Sequence, residues 1–158
     1  MSTFRYDPAL IETFPTIRAG ALVARGVTNP APPTALTDEL TIAQAETRDR
    51  IGDTPLSEIS SLAAWRRTFT AFGVSPTKYR NAAEAIARRI TKKGDLPSIS
   101  TLVDIGNLVS VRHSLPVAVI DLGAVEGGIT VRFARGDEPF TDLGGSEAEH
   151  PAEGEVVF

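Results

Sequence analysis

Apolar residues recur along this chain at helical spacing in its middle and in alternation or short runs toward its ends. Between Thr54-Pro55 and Gly73, the residues Leu62, Trp65, Phe69 and Phe72 follow at steps of three, four and three, so they share one helical face, predicted to be buried. Thr54 or Ser57 can cap the start and Gly73 can end the helix. Ser75-Pro76 opens a second predicted helix with Tyr79, Ala83, Ile86 and Ile90 as its inward stripe, and with Arg88, Arg89, Lys92 and Lys93 crowding its last turns before Gly94. Ser98 is expected to cap a third helix, Ile99 to Val111, apolar on most sides and therefore deep in the core. Down that helix Asp104, Asn107 and Ser110 form a narrow polar line, which must meet backbone, water or a ligand. An earlier helix, about Thr37 to Ile51, rests on Leu40, Ala43 and Ile51, with Arg48 and Arg50 in its last turn and Gly52 closing it. Thr47 interrupts its apolar side.

The strand signals lie outside this helical block. Thr16 to Val27 alternates loosely through Ile17, Leu22, Val23 and Val27 and reads as a first strand with one buried face. It is followed by the connector Thr28-Asn29-Pro30-Ala31-Pro32-Pro33, in which three prolines cannot donate to a ladder. Pro116 to Leu122 has the β-branched content of a buried strand, and Ile129 to Ala134 alternates Thr130 and Arg132 outward with Ile129, Val131 and Phe133 inward. Gly127-Gly128 between them predicts a hairpin-like pair. A last strand begins at Gly154-Glu155-Val156-Val157-Phe158 and stops within its apolar run, which reads as a truncated domain.

Composition narrows the classes. At 158 residues, 42% hydrophobic and 23% charged, the chain is expected to form one soluble domain, residues 1–158. No apolar run approaches the roughly eighteen residues of a membrane helix, and Met1 to Ala9 lacks the pattern of a secretory signal, so the expected address is cytoplasmic, with no membrane partner. The absence of cysteine excludes disulfides, thiolate nucleophiles and cysteine zinc sites. A net charge of -4 argues against binding nucleic acid by bulk electrostatics, yet Ser57 to Lys93 holds eight basic residues against Glu58 and Glu84, a net +6. An anionic partner on these helices and simple solubility both explain that asymmetry.

Standard catalytic constellations are missing. His113 and His150 have no metal-ligand partner at helical spacing, so neither a metal nor a cofactor is expected. No phosphate-cradling glycine loop occurs, no serine stands in a nucleophile elbow, and sequence alone cannot bring Asp104 and Asp121 together as paired carboxylates.

Several blocks in order carry a family resemblance. They are Trp65-Arg66, Phe72 to Arg80, Ala85 to Arg89, Leu96-Pro97, Leu102 to Ser110, Leu115-Pro116-Val117, Ile120-Asp121-Leu122, Gly128 to Arg132 and Glu138 to Gly145. Together they resemble the free-standing relatives of the editing module, the B-three/B-four domain, in the β subunit of bacterial phenylalanyl-tRNA synthetase. The resemblance implies an α+β fold with a layered β-sandwich-type core and helices packed on it. It further implies a pocket for the aminoacyl end of transfer RNA, and hydrolytic editing of mischarged tRNA.

Asn107 carries over from the family's pocket directly, while two neighbours depart from the pattern. Gly106 stands where the family has a threonine, and Ala118 stands where it has a histidine two positions after the proline matched by Pro116. A further pocket glutamate belongs to a segment beyond Phe158. The expected substrate-binding positions are therefore Asn107, Gly106 and Ala118, and the expected RNA-binding residues are Arg66, Arg80, Arg88, Arg89, Lys92 and Lys93. Three readings follow: an RNA-end hydrolase, a non-catalytic module for RNA or for an amino-acid-like or nucleotide-like ligand, and an interaction domain without small-molecule function. The visible residues do not supply both an oriented water and oxyanion donors, so the catalytic residues and enzymatic status stay open.

Overall fold

The structure is a computed structural model that describes residues 4–142 and 144–158. Leu143, part of the Glu138 to Gly145 block, and the first three residues lie outside the described residues. The fold class is α+β. The described residues form β1 (Phe4–Tyr6), α1 (Pro8–Thr13), α2 (Thr34–Ile51), α3 (Ser60–Ala71), α4 (Ala82–Lys92), α5 (Thr101–His113), β2 (Ile129–Phe133) and β3 (Val156–Val157). Short 3-10 turns span Leu56–Glu58 and Leu122–Ala124. The chain divides into two compact units, Gly26–Ile120 and a second made of the segment ending at Arg25 with Asp121–Phe158.

The Gly26–Ile120 unit is helical. Leu40, Ala43, Ile90, Leu108 and Val111 make one buried cluster, which joins α2, α4 and α5. Ile51, Leu62, Ala83 and Ala87 make another, joining α2, α3 and α4. The buried stripe of α2 runs through Leu40, Ala43, Gln44, Thr47 and Ile51, so two polar residues sit where apolar ones are expected. Each has a backbone partner. Gln44 Oε1 accepts from the Leu96 N–H at 2.6 Å, and the Thr47 hydroxyl donates to the Val111 carbonyl at 3.1 Å. That carbonyl lies in the last turn of α5, where helix carbonyls lose their intrahelical donors. Arg50 donates to the same oxygen at 3.2 Å. The proline connector serves the other end of α5: Asn29 Oδ1 accepts from the Leu102 N–H at 2.9 Å, and the Pro30 carbonyl accepts from the Thr101 N–H at 3.0 Å. Gly52 closes α2 at φ +50°, as its position predicts.

Helix boundaries differ from expectation, and α2 starts at Thr34 rather than about Thr37. α3 begins at Ser60 with no side-chain cap, so neither Thr54 nor Ser57 caps it. Its face is graded: Leu62 is fully buried, whereas Trp65, Phe69 and Phe72 are half-buried. α4 begins at Ala82 rather than at Ser75-Pro76, because Asn81 accepts from the Glu84 N–H at 3.0 Å and sets the true start. The Ser75 to Tyr79 stretch is a turn closed by the Ser75 carbonyl, and Tyr79 is exposed rather than inward. α5 is shifted two residues, to Thr101–His113, and Ile99, Ile105 and Val109 are exposed, so only one side of it is in the core.

Ser98 has a different task from capping. Its hydroxyl donates to Asp104 Oδ2 at 2.5 Å while the Ile99 N–H donates to Asp104 Oδ1 at 2.9 Å, and Asp104 is 0% exposed. The buried carboxylate therefore ties the approach loop onto the first turn of α5, where the helix dipole also favours negative charge. Asp104→Ala should lower unfolding stability by about 2 kcal/mol, because it removes a charged acceptor and strands a backbone donor. Urea unfolding checks this, with Asp104→Asn expected to lose less; a loss for alanine below about 0.5 kcal/mol would mean that the loop does not depend on this carboxylate.

In the other unit, β2 is the central strand, paired in parallel with β1 and antiparallel with β3. Two expectations are corrected here. Thr16 to Val27 is not a strand: it has no regular structure and leaves Leu22 90% exposed. The Pro116 to Leu122 stretch does not pair with Ile129 to Ala134, because both edges of β2 are already taken by β1 and β3. Nor is it buried: Val117, Val119 and Ile120 are exposed. Along β2 every residue is half-buried, so the expected inward and outward alternation is not expressed as burial. The strand expected near Val156 is present as β3. Glu138 organises the turn after β2. The Arg135 backbone N–H, the Arg132 guanidinium and the Gly136 N–H hold its carboxyl down from 4.5 to about 2, against a smaller opposing effect of burial. Its contribution is therefore complete at neutral pH and is lost only as pH falls from about 4.5 toward 2.

No helix among the described residues is long and apolar enough to cross a membrane.

Candidate functional site

Two neighbourhoods in the Gly26–Ile120 unit hold the residues singled out from sequence. The first is the middle of α5. Gly106 is buried there, and a Cβ at this position would meet Val119 Cγ2 at 3.3 Å and Val117 Cγ1 at 3.4 Å. The segment after Pro116 thus lies directly against the helix, and the absence of a side chain at Gly106 permits that approach. Val117 and Val119 both reach Gly106, so the residue between them, Ala118, faces away from α5 by strand-like alternation and is exposed. Asn107, next along the helix, is half-buried. The structure therefore brings Gly106 together with the post-proline segment and leaves Ala118 on that segment's outer side. Two valine methyl groups thus close on a glycine.

The second neighbourhood is built on α3 and α4. Asn81 starts α4 so that Glu84 falls in its first turn, with a side chain only 6% exposed. Its Oε1 accepts from Arg66 Nη1 at 2.7 Å. Arg66 also donates to the Pro76 carbonyl and the Thr77 hydroxyl, both at 3.3 Å, and so holds the Ser75 to Arg80 turn between the two helices. Arg80 Nε stands 3.8 Å from the same Glu84 oxygen. Glu84 Oε2 is buried with no hydrogen-bond partner.

Beside this group lies a cavity of about 330 Å³, lined by Arg66, Arg80, Glu84, Arg88 and Lys92 together with residues of the loop 52–57 after α2. Arg88 and Lys92 are four residues apart on α4, hence neighbours on its surface, and neither side chain makes an ion pair or hydrogen bond among the described residues. The six cations expected to act together are thus divided. Arg66, Arg80, Arg88 and Lys92 line one cavity, while Arg89 donates instead to the Asp95 carbonyl at 3.1 Å and Lys93 caps the end of α4. Glu84 had not been singled out as a site residue, although the Asn81-Ala82-Ala83-Glu84 spacing of a capping box marked its place on the helix. No group of three or more His, Asp or Glu residues is placed to hold a metal ion among the described residues.

A family model for the B3/4 domain matches residues 64–158, which takes in α3 from Ala64 onward, α4 and α5. Similar curated proteins carry the name phenylalanine-tRNA ligase beta subunit. The one from Vibrio cholerae serotype O1 is 45% identical over 60 residues, covering 38% of this chain and 8% of that protein. The one from Vibrio parahaemolyticus serotype O3:K6 is 47% identical over 60 residues, with the same coverage, 38% and 8%. The one from Aquifex aeolicus is 42% identical over 64 residues, covering 40% and 8%. The matched part of the chain is thus a small fraction, 8%, of each of these relatives. No solved structure matches.

Proposed function

From a chain that belongs to the B3/4 domain family, we propose a protein that recognises the aminoacyl end of transfer RNA. The observation that carries this reading is that one family-matched segment holds both a helix pair rich in unneutralised cations and the α5 turn bearing Asn107. In this reading Arg88 and Lys92, with Arg80 and Arg66 behind them and Arg89 and Lys93 at the helix end, receive RNA phosphates. Asn107 offers its amide to the aminoacyl group, beside Gly106. The sheet around β2 would be the counterpart of the family's layered β-sandwich.

Hydrolytic editing would be the family activity, and Gly106 and Ala118 argue for a second reading. Cleaving an aminoacyl ester takes a held water and donors for the oxyanion. A glycine closed over by valine methyl groups and an outward alanine supply neither. A non-catalytic module that binds the same end without cleaving it accommodates both residues.

Incubating the full chain with a panel of mischarged transfer RNAs separates these readings: binding with deacylation supports the hydrolase, and binding without it supports the module. Arg88→Glu with Arg89→Glu should weaken RNA binding at least tenfold and reduce the slope of log affinity against log salt by about 1 to 2. Unaltered affinity and slope would remove RNA docking from these helices.

A further inference from the structure

The cavity beside Glu84 has a composition that the RNA-docking reading does not require. Its walls carry four cations, Arg66, Arg80, Arg88 and Lys92, against two carboxylates, Asp53 and Glu84, which leaves a net charge of +2. Arg66 is already spent on Glu84 and the Ser75 to Arg80 turn, but Arg88 and Lys92 are unpaired. The hydroxyls of Thr54 and Ser57, part of the same lining, make no hydrogen bond among the described residues either. Two free cations one helical turn apart, with free hydroxyls in the same cavity, form a donor set for a tetrahedral oxyanion.

Glu84 adds a second requirement. Its carboxylate is part of the same lining and can only accept hydrogen bonds. A bare phosphate does not suit it, because phosphate would bring only more acceptors toward a carboxylate. The ligand must present an anion at one end and a hydroxyl or amine at the other. A zwitterionic amino acid has both ends but is neutral overall, whereas a phosphate monoester carries about -1.5 to -2 at neutral pH and matches the excess of the walls. The volume of about 330 Å³ lies at the small end of ligand pockets, which run from roughly 300 to 1,000 Å³.

We propose that this cavity binds a small phosphate monoester with a hydroxyl-bearing body, of the sugar-phosphate or mononucleotide class, with the phosphate on Arg88, Lys92 and Arg80 and a hydroxyl donating to Glu84. The site shares cations with the RNA-docking surface but does not depend on RNA binding. The same chemistry could also be supplied by the terminal phosphate of an RNA strand, so the test distinguishes the two sources.

Calorimetric titration of the full chain with adenosine 5′-monophosphate, adenosine, inorganic phosphate, tyrosine, and one short RNA with and without a 5′-phosphate provides the test. Saturable binding of the mononucleotide is expected, with adenosine and tyrosine at least tenfold weaker. The pair Arg88→Gln and Lys92→Gln, both exposed and unpartnered, should weaken mononucleotide binding at least tenfold, while Arg67→Gln, outside the cavity, should not. Glu84→Gln should weaken the mononucleotide more than inorganic phosphate; should it fail to fold, the Arg88 and Lys92 pair carries the test alone. Mononucleotide binding without any RNA binding would sink the RNA reading and leave this one standing. Binding of the RNA only when it carries the 5′-phosphate, with no mononucleotide binding, would assign the cavity to RNA ends and overturn the small-ligand proposal. Tyrosine binding as tightly as the mononucleotide, or no saturable binding of the mononucleotide, would overturn it as well.

Discussion

Arg66→Met should cost about 3 kcal/mol or more of unfolding stability, far beyond what a surface ion pair contributes. The reason is Glu84. One of its oxygens is held by Arg66 at 2.7 Å, the other has no partner, and the side chain is only 6% exposed. Removing the guanidinium leaves a carboxylate that can neither hydrate nor pair well, with Arg80 at 3.8 Å as its one remaining ion-pair contact among the described residues. The variant also releases the Ser75 to Arg80 turn, which Arg66 holds through Pro76 and Thr77. Urea unfolding measures the loss, and the double variant Arg66→Met with Glu84→Leu should recover most of it, since replacing both members of a buried pair by apolar groups is often close to neutral. A single-variant loss under about 1 kcal/mol would mean that Glu84 reaches water and behaves as a surface residue.

Leu62→Ala should be comparably damaging, at about 3 to 5 kcal/mol, because the side chain is 0% exposed and packed with Ile51, Ala83 and Ala87, three well-buried neighbours drawn from two other helices. Trp65→Ala should cost less despite removing a larger side chain. Its ring is half-buried and rests edge-on against Phe69, at a centroid distance of 6.3 Å within the same helix. Equilibrium unfolding of both variants ranks the positions; a larger loss at Trp65 would place the tryptophan, not the leucine, at the centre of that core.

That ranking shows what the apolar spacing revealed. Steps of three and four identified the right face of α3, since Leu62, Trp65, Phe69 and Phe72 do share it. Periodicity reports direction from the helix axis but not the distance to the neighbouring helix, so it could not grade the four. The same limit applies to α5, where exposed Ile105 and Val109 looked as apolar as buried Leu108 and Val111. On α2 the polar Gln44 and Thr47 weakened the pattern although they lie in the stripe, because their acceptors and donors belong to Leu96 and Val111, far along the chain. Strand pairing was less legible still. Alternation marked Ile129 to Ala134 as a strand, yet β2 takes Phe4–Tyr6 and Val156–Val157 as partners, and nothing in its own residues specifies a neighbour more than 100 positions away.

The candidate site divides in the same way. Asn107 was legible as one member of the polar line along its helix, but its role as a pocket residue came only through family resemblance, since a half-buried amide on a helix has no distinctive local chemistry. The basic residues of α4 were legible as charge. Glu84 at their centre was counted merely as one negative charge, because its isolation from water arises from packing between α3 and α4.

Thr47 and Arg50 on the Val111 carbonyl, with Asn29 and Pro30 on the start of α5, give the helix that carries Asn107 both of its terminal supports from residues upstream of the family-matched segment. Leu40 and Ala43, also upstream, press on its inner face. Homology begins at residue 64, whereas the cooperative structure that homology describes begins some thirty residues earlier. A chimera joined at the homology border would strip Leu40 and Ala43 from Leu108 and Val111 and leave only the α4 side of that cluster, so α2 and the proline segment before it must travel with α5 in any graft.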